Sequence, residues 1–170
     1  MSSGKIFDHK TMQVNYTTYD MRREYDIINP SKHADVMTVA LDFDESTETS
    51  PSGHPFRYAK VLGIYHTDAI IMQPGEEAYV ETIEFLWVHW YQYDFSHKAG
   101  FQQRRLHRLE LKDVSDPDAF GFLNPDDVIR GVHLIPAFAH GSYGAAASDS
   151  GSDSVSPHAP LVSRFYYINL

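Results

Sequence analysis

The chain contains no cysteine. Disulfides, thiolate zinc sites and a cysteine nucleophile are therefore excluded, and the composition suits a reducing compartment. Long apolar runs are also missing. No stretch approaches the ~18 apolar residues of a membrane span, and the opening Met-Ser-Ser-Gly-Lys-Ile-Phe-Asp lacks an apolar signal core. These features point to an intracellular protein, nuclear or cytoplasmic, with no membrane partner. Basic charge is scarce: 14 Lys and Arg stand against 23 Asp and Glu, a net charge of −9 with His neutral. Such a balance argues against a duplex-DNA binder with a broad basic face. Several catalytic signatures are absent as well. There is no His-Glu-x-x-His, no Gly-x-Ser-x-Gly elbow and no Gly-rich phosphate loop.

Aromatic side chains are abundant, with 11 Tyr and 10 Phe. Both tryptophans fall in Phe85–Tyr93, Phe-Leu-Trp-Val-His-Trp-Tyr-Gln-Tyr. A run so dense in aromatic and aliphatic residues reads as a strand near the centre of a sheet. Alternation puts Leu86, Val88 and Trp90 on one face and Trp87, His89, Tyr91 and Tyr93 on the other. The first face is purely apolar. The second, aromatic with polar tips, suits either a second core layer or a binding surface.

The long central strand is expected over Tyr79–Tyr93, and further strands over Val14–Tyr19, Asp35–Leu41, Tyr58–His66, Arg104–Leu111, Val132–Phe138 and Arg164–Leu170, separated by turn signals. Residues 20–28 are ambiguous between a helical turn and an edge strand, and Asn29-Pro30 stops whatever precedes it. Gly63 inside a strand suggests a bulge, and Pro74-Gly75 a turn. Asn124-Pro125-Asp126-Asp127 is a helix start, with Asn124 as N-cap and acids in the first turn; Gly131 ends the short helix near residues 125–130. The expected fold is mainly β: a small, bent, antiparallel barrel over residues 13–140 with that one helix. Residues 1–12 read as a flexible N-terminus, 141–160 as a disordered Ser/Gly/Ala linker and 161–170 as a C-terminal strand.

Three sets of residues are candidates for function. Trp87, Tyr91 and Tyr93, with Tyr58 and Tyr65 of the neighbouring strand, form an aromatic face; beside Glu84 or Asp94 it would suit a cation such as methyl-lysine. Lys98, Arg104, Arg105 and Arg108 form the one net-positive patch, able to track a phosphate backbone. His33 with Asp35, and His66 with Asp68, are close pairs that could ligate a metal or share a proton. The bland readings are core packing, a solvated face and scattered histidines.

Several segments carry a resemblance. Val14-Asn-Tyr-Thr-Thr-Tyr-Asp20, Tyr58-Ala-Lys-Val-Leu-Gly-Ile-Tyr-His66, Phe85-Leu-Trp-Val-His-Trp90 and the block Phe120–Phe138 resemble a recurrent segment of uncharacterised proteins of mushroom-forming fungi related to Plavaka-type transposons. The order of these strands, with Asp127-Val-Ile-Arg-Gly-Val-His133 late in the chain, is similar to that of bromo-adjacent homology domains, SH3-like β modules of chromatin proteins. What the resemblance implies is a non-enzymatic interaction module without cofactor, with a histone tail, a transposase-related protein or nucleic acid as partner. The alternative is a small metal-dependent hydrolase or nuclease using the His and Asp residues. Nothing in the sequence sets an oligomeric state.

Overall fold

The computed structural model describes residues 5–40, 54–75, 77–100, 103–140, 142–143 and 162–169. The acidic loop up to residue 53 and most of the 141–160 linker lie outside the described residues. The strands are β1 (Ile6–His9), β2 (Met12–Thr17), β3 (Arg23–Ile28), β4 (Asp35–Val39), β5 (Phe56–Ile71), β6 (Tyr79–Tyr93), β7 (Arg108–Leu111), β8 (Phe120–Leu123), β9 (Val128–Gly131), β10 (His133–Pro136), β11 (Ser142–Tyr143), β12 (Val162–Ser163) and β13 (Tyr166–Asn169). The protein is mainly β, as the sequence implies, and its strands pair antiparallel.

The chain divides into two compact units. The first comprises residues 1–91 and 112–132, the second 92–111 and 133–170.

In the first unit the sheet runs β8-β6-β5-β4-β9, with β1 also on β5. Its two outer strands, β8 and β9, are consecutive in the chain. Only Asn124–Asp127 separates them, and Pro125–Asp127 is a single 3-10 turn. Laid flat, five strands at ~4.8 Å spacing would hold β8 and β9 about 19 Å apart. With three of its four residues in a 3-10 turn rising ~2 Å each, the link falls well short of that. The sheet therefore has to curl, and it forms a nearly closed, barrel-shaped antiparallel arrangement.

The core lies inside this curl. Leu86, Val88 and Trp90 are buried, as expected for the apolar face of β6. They join Ala59, Val61 and Ile64 of β5, Val36, Leu123 and Val128 in one cluster. Val14 and Ile28 of the β2–β3 hairpin complete it. The carboxylate of Asp26 holds this hairpin to β9, accepting the Gly131 N–H at 3.0 Å. The ambiguous segment is thus strand from Arg23 onward, and Ile6–His9, expected to be loose, is β1, paired with β5 along its whole length.

The helix expected over 125–130 is shorter than expected. Asn124 does cap it, its side chain accepting from the Asp126 N–H at 3.2 Å. One turn forms and then stops at Asp127, because Val128 and Ile129 are β-branched and extend as a strand against β4. A single turn has met the cost of nucleation without the gain of propagation.

A bulge interrupts β5, as Gly63 suggests. Val61 pairs with Val88 and Gly63 with Trp87, so Leu62 is an extra residue. Inward positions change from odd (Ala59, Val61) to even (Ile64) across it.

In the second unit the strands run β10-β13-β7, with the last two residues of β6 also in this unit. Leu109, Leu134 and Ile168 are buried here. The strand expected from Arg104 begins only at Arg108. Arg104 itself adopts a left-handed backbone, φ 49°, and Arg105 closes a turn on Gly100 by accepting its N–H at 2.9 Å.

Gly121 of β8 gives a test of core packing. A Cβ there would lie 2.9 Å from Trp90 Nε1, and the Trp90 ring is backed by the Arg57 guanidinium 3.9 Å from its centroid. Because the Trp90 ring and the Arg57 side chain over it would have to shift, Gly121→Ala is expected to destabilise by about 1–3 kcal/mol through overpacking, read as a lower urea midpoint with an unchanged m-value.

Candidate functional site

The outer face of β6 is divided in two. Towards its C-terminal end Tyr91 is buried, its hydroxyl donating to Asp35 Oδ1 at 2.9 Å. Tyr58 of β5 and Met37 of β4 are buried as well. Two members of the expected aromatic face are therefore core residues, unavailable to a ligand. Tyr93 belongs to the second unit, where its ring lies near Phe95 and edge-on to His107.

Further back along β6 the aromatic residues are open. Trp87 is 44% exposed and Phe122, its pairing partner on β8, 68% exposed. Their rings meet edge to face, with centroids 5.8 Å apart. Phe122 also meets Phe85 at 5.5 Å, and Phe85 meets Tyr65 at 5.6 Å. Beside Trp87, Phe120 stacks on His89 at 4.5 Å, and His89 Nε2 is 2.8 Å from the Lys112 carbonyl. The result is a row of side chains across three strands: Tyr65, Phe85, Phe122, Trp87, Phe120 and His89. Ring pairs of this geometry attract one another beyond the area they bury.

The local sequence explains the row. The bulge brings Tyr65 onto the same face as Trp87, and Gly63 leaves room beneath it. A Cβ on Gly63 would fall 2.4 Å from the Tyr65 ring. Of the expected face, Trp87 and Tyr65 remain in the open row. Phe120 and Phe122 were missed, because the pairing of β8 with β6 is a contact between strands far apart in the chain, and Phe85 was missed although it alternates with Trp87 on β6. The Phe-Gly-Phe alternation at 120–122 was the one available signal.

Acidic groups border the row. A cleft of about 540 Å³ opens beside Phe85 and Phe122, with Glu81, Glu84, Asn124 and Asp126 in its walls. That volume falls within the range of sites that hold a ligand or a few peptide residues. Glu84, one of the two acids expected near an aromatic face, is here.

The other expected acid, Asp94, has a structural role in the second unit. It accepts the Arg108 Nε–H at 2.7 Å and a further bond from Arg108 Nη2, and it also accepts from the Ser96 N–H at 3.0 Å. The side chains of Arg108 and Asp94 are about 10% exposed, and the Arg108 guanidinium lies 4.3 Å over the Phe165 ring. Arg108 is therefore held inside the fold and cannot track a phosphate backbone. Lys98, Arg104 and Arg105 remain exposed.

The histidine pairs are not assembled as expected. His66 meets His9, with Nδ1 and Nε2 2.6 Å apart, and stacks on Phe7. Asp68 accepts the Thr82 hydroxyl at 2.8 Å, and Asp35 accepts that of Tyr91. His33 is exposed on the turn after Asn29. Among the described residues no three His, Cys, Asp or Glu side chains gather as metal ligands would. No helix among them is long and apolar enough to cross a membrane.

Burial alone would raise the Asp94 carboxyl, but the hydrogen bonds from Ser96 and Arg108 and the charge of Arg108 outweigh it and hold the group below its ordinary value of 3.8. A carboxylate lowered in the folded state contributes stability that is present above 3.8 and lost as the pH falls through the lower folded value. Asp94→Ala, which leaves the Arg108 cation without its carboxylate, is expected to destabilise by on the order of 3 kcal/mol at neutral pH. In denaturant titrations the gap between wild type and variant should narrow as the pH is lowered from neutrality to below 3.8.

Searches of protein-family models, curated proteins and solved structures find no match to this chain.

Proposed function

We propose that this protein is an interaction module without a catalytic centre, and that it binds a basic segment of another protein on the outer face of β6 and β8. One observation carries the reading: an open aromatic row on paired strands, bordered by Glu81, Glu84 and Asp126. Sheet strands hold these rings in place before a partner arrives, which lowers the ordering cost of binding. Trp and other aromatic residues are the usual anchors of such surfaces. Carboxylates around them favour lysine or arginine over phosphate, and aromatic faces attract cations directly. Among the partners that the resemblance to transposon-associated and bromo-adjacent homology proteins implies, a histone tail or a basic stretch of a transposase-related protein fits this chemistry best. Nucleic acid fits it less well, because Arg108 is engaged with Asp94 and the net charge is −9.

Fluorescence anisotropy with labelled ten-residue peptides tests the reading. A lysine-rich peptide, with or without trimethyl-lysine, should bind, whereas a glutamate-rich one and a single-stranded 20-nucleotide DNA should not. Trp87→Ala and Phe122→Ala should each weaken the lysine-rich peptide at least tenfold and shift the urea midpoint far less than a core truncation, since Phe122 is largely and Trp87 nearly half exposed. Leu86→Ala, by contrast, should cost about 2–5 kcal/mol of stability. Binding of the DNA but not of the basic peptide would show the reading to be wrong.

A further inference from the structure

β5 and β6 pair from Ala59 with Trp90 to Ile71 with Tyr79, broken only by the bulge at Leu62. The opposite edge of β6 is covered only in part. β8 pairs with Leu86–His89, reaching Leu86 through Leu123. Asn124 then turns the chain away into the 3-10 turn. Among the described residues no strand pairs with Tyr79–Phe85 on that edge.

The direction of the free backbone groups follows from Trp90. Its N–H donates to the Ala119 carbonyl at 2.8 Å, and its own carbonyl accepts the Lys112 N–H at 3.0 Å. Both groups thus point away from β5. The bulge lies in β5, so alternation along β6 is unbroken. Glu84, Thr82 and Val80 consequently present their N–H and C=O groups to the open edge, while Ile83 and Glu81 direct theirs towards β5.

Proteins usually cover or blunt an edge of this kind, because it is a template for another strand. Here it carries exposed apolar side chains, Tyr79, Val80 and Ile83, and it runs into the acidic cleft at Phe85 and Phe122. The charges identify the occupant. A second copy of this chain, with its net charge of −9, would bring one acidic edge holding Glu81 and Glu84 beside another, which is unfavourable. A segment carrying Lys or Arg among aliphatic residues would meet opposite charge instead.

The geometry points to β-strand addition: a basic, extended segment of a partner protein pairs with the main chain of Val80, Thr82 and Glu84 and continues the line of β8 along β6. This inference rests on the binding reading above and adds the mode of recognition. The main chain would supply affinity, while Glu81, Glu84 and the cleft select the side chains.

A fluorescein-labelled ten-residue peptide alternating lysine and valine provides the probe, with residue-resolved amide exchange on the full chain. Bound peptide should slow exchange at Val80, Thr82 and Glu84 at least tenfold and leave Ile83, already paired to β5, unchanged. Thr82→Pro removes an outward N–H and the exposed side-chain bond to Asp68 but leaves the backbone ladder to β5 intact, a place where a strand tolerates proline. It should weaken the peptide at least tenfold with little change in circular dichroism. The same peptide methylated at alternate amides should weaken equally against the unaltered protein, which gives a test independent of how the variant folds. Glu81→Lys with Glu84→Lys should also weaken it.

Full-strength binding of the methylated peptide, or protection only outside residues 79–85, would overturn strand addition. Sensitivity to Trp87→Ala and Phe122→Ala would then leave the broader binding reading intact. Absence of any peptide binding would overturn both. Protection of the same three amides without peptide, rising with protein concentration, would assign the edge to a second copy and overturn the basic partner.

Discussion

The extra residue in β5 is the constraint on which the rest of the first unit depends. Before Leu62 the inward side chains are Ala59 and Val61; after it the inward position falls on Ile64. Without that shift Tyr65 would face the core and Ile64 would face out. The bulge lets β5 keep Ala59, Val61 and Ile64 inward on one side of a sharply curled sheet, and curling is forced by the short link between β8 and β9. Bulges bend a strand and increase its twist, so the same residue that corrects the pattern also supports the curvature. The aromatic row outside follows, because Tyr65 reaches its place beside Phe85 only through this change of parity.

Polar groups have a second organising role, and each unit uses a carboxylate differently. Asp26 joins hairpin to sheet by accepting a backbone N–H of β9. Asp94 gathers a Ser96 turn and the Arg108 cation in a small, largely buried set of hydrogen bonds. Such groups contribute most when every lone pair is satisfied, and they remove the residues concerned from recognition. Arg108 stands out in the sequence as part of a basic patch, yet its partner makes it a piece of the scaffold. On the first unit, what the open edge of β6 offers a partner is acidic and aromatic: its glutamates and the row from Tyr65 to Phe120.

Local pattern was enough for much of this. The apolar alternation of Leu86, Val88 and Trp90 marks their burial, because a face without polar atoms has nowhere else to go. Gly63 inside an apolar run signals the bulge, and Asn124-Pro125 the cap, through chemistry carried by those residues alone. The strands from Val14, Asp35, Tyr58 and Arg164 are recognisable in the same way. Helix length near Pro125 was misjudged, since capping residues report where a turn starts and the strand-forming Val128 and Ile129 decide how soon it ends.

Facing and partnership were beyond the sequence. Tyr91 and Trp87 share one face of one strand, but one is buried and the other open, because burial depends on what lies across the sheet. Phe120 and Phe122 become part of a surface only when β8 pairs with β6, and His66 meets His9 rather than Asp68 because β1 lies on β5. The free edge at Tyr79–Phe85 likewise exists only because β8 stops at Leu123. The sequence by itself determined strand periodicity, the apolar core face, the bulge and the excess of acid, all properties of neighbouring residues. Tertiary structure alone decided which aromatics are accessible, which cation is held and which backbone groups are left open, because these depend on pairings between strands distant in the chain.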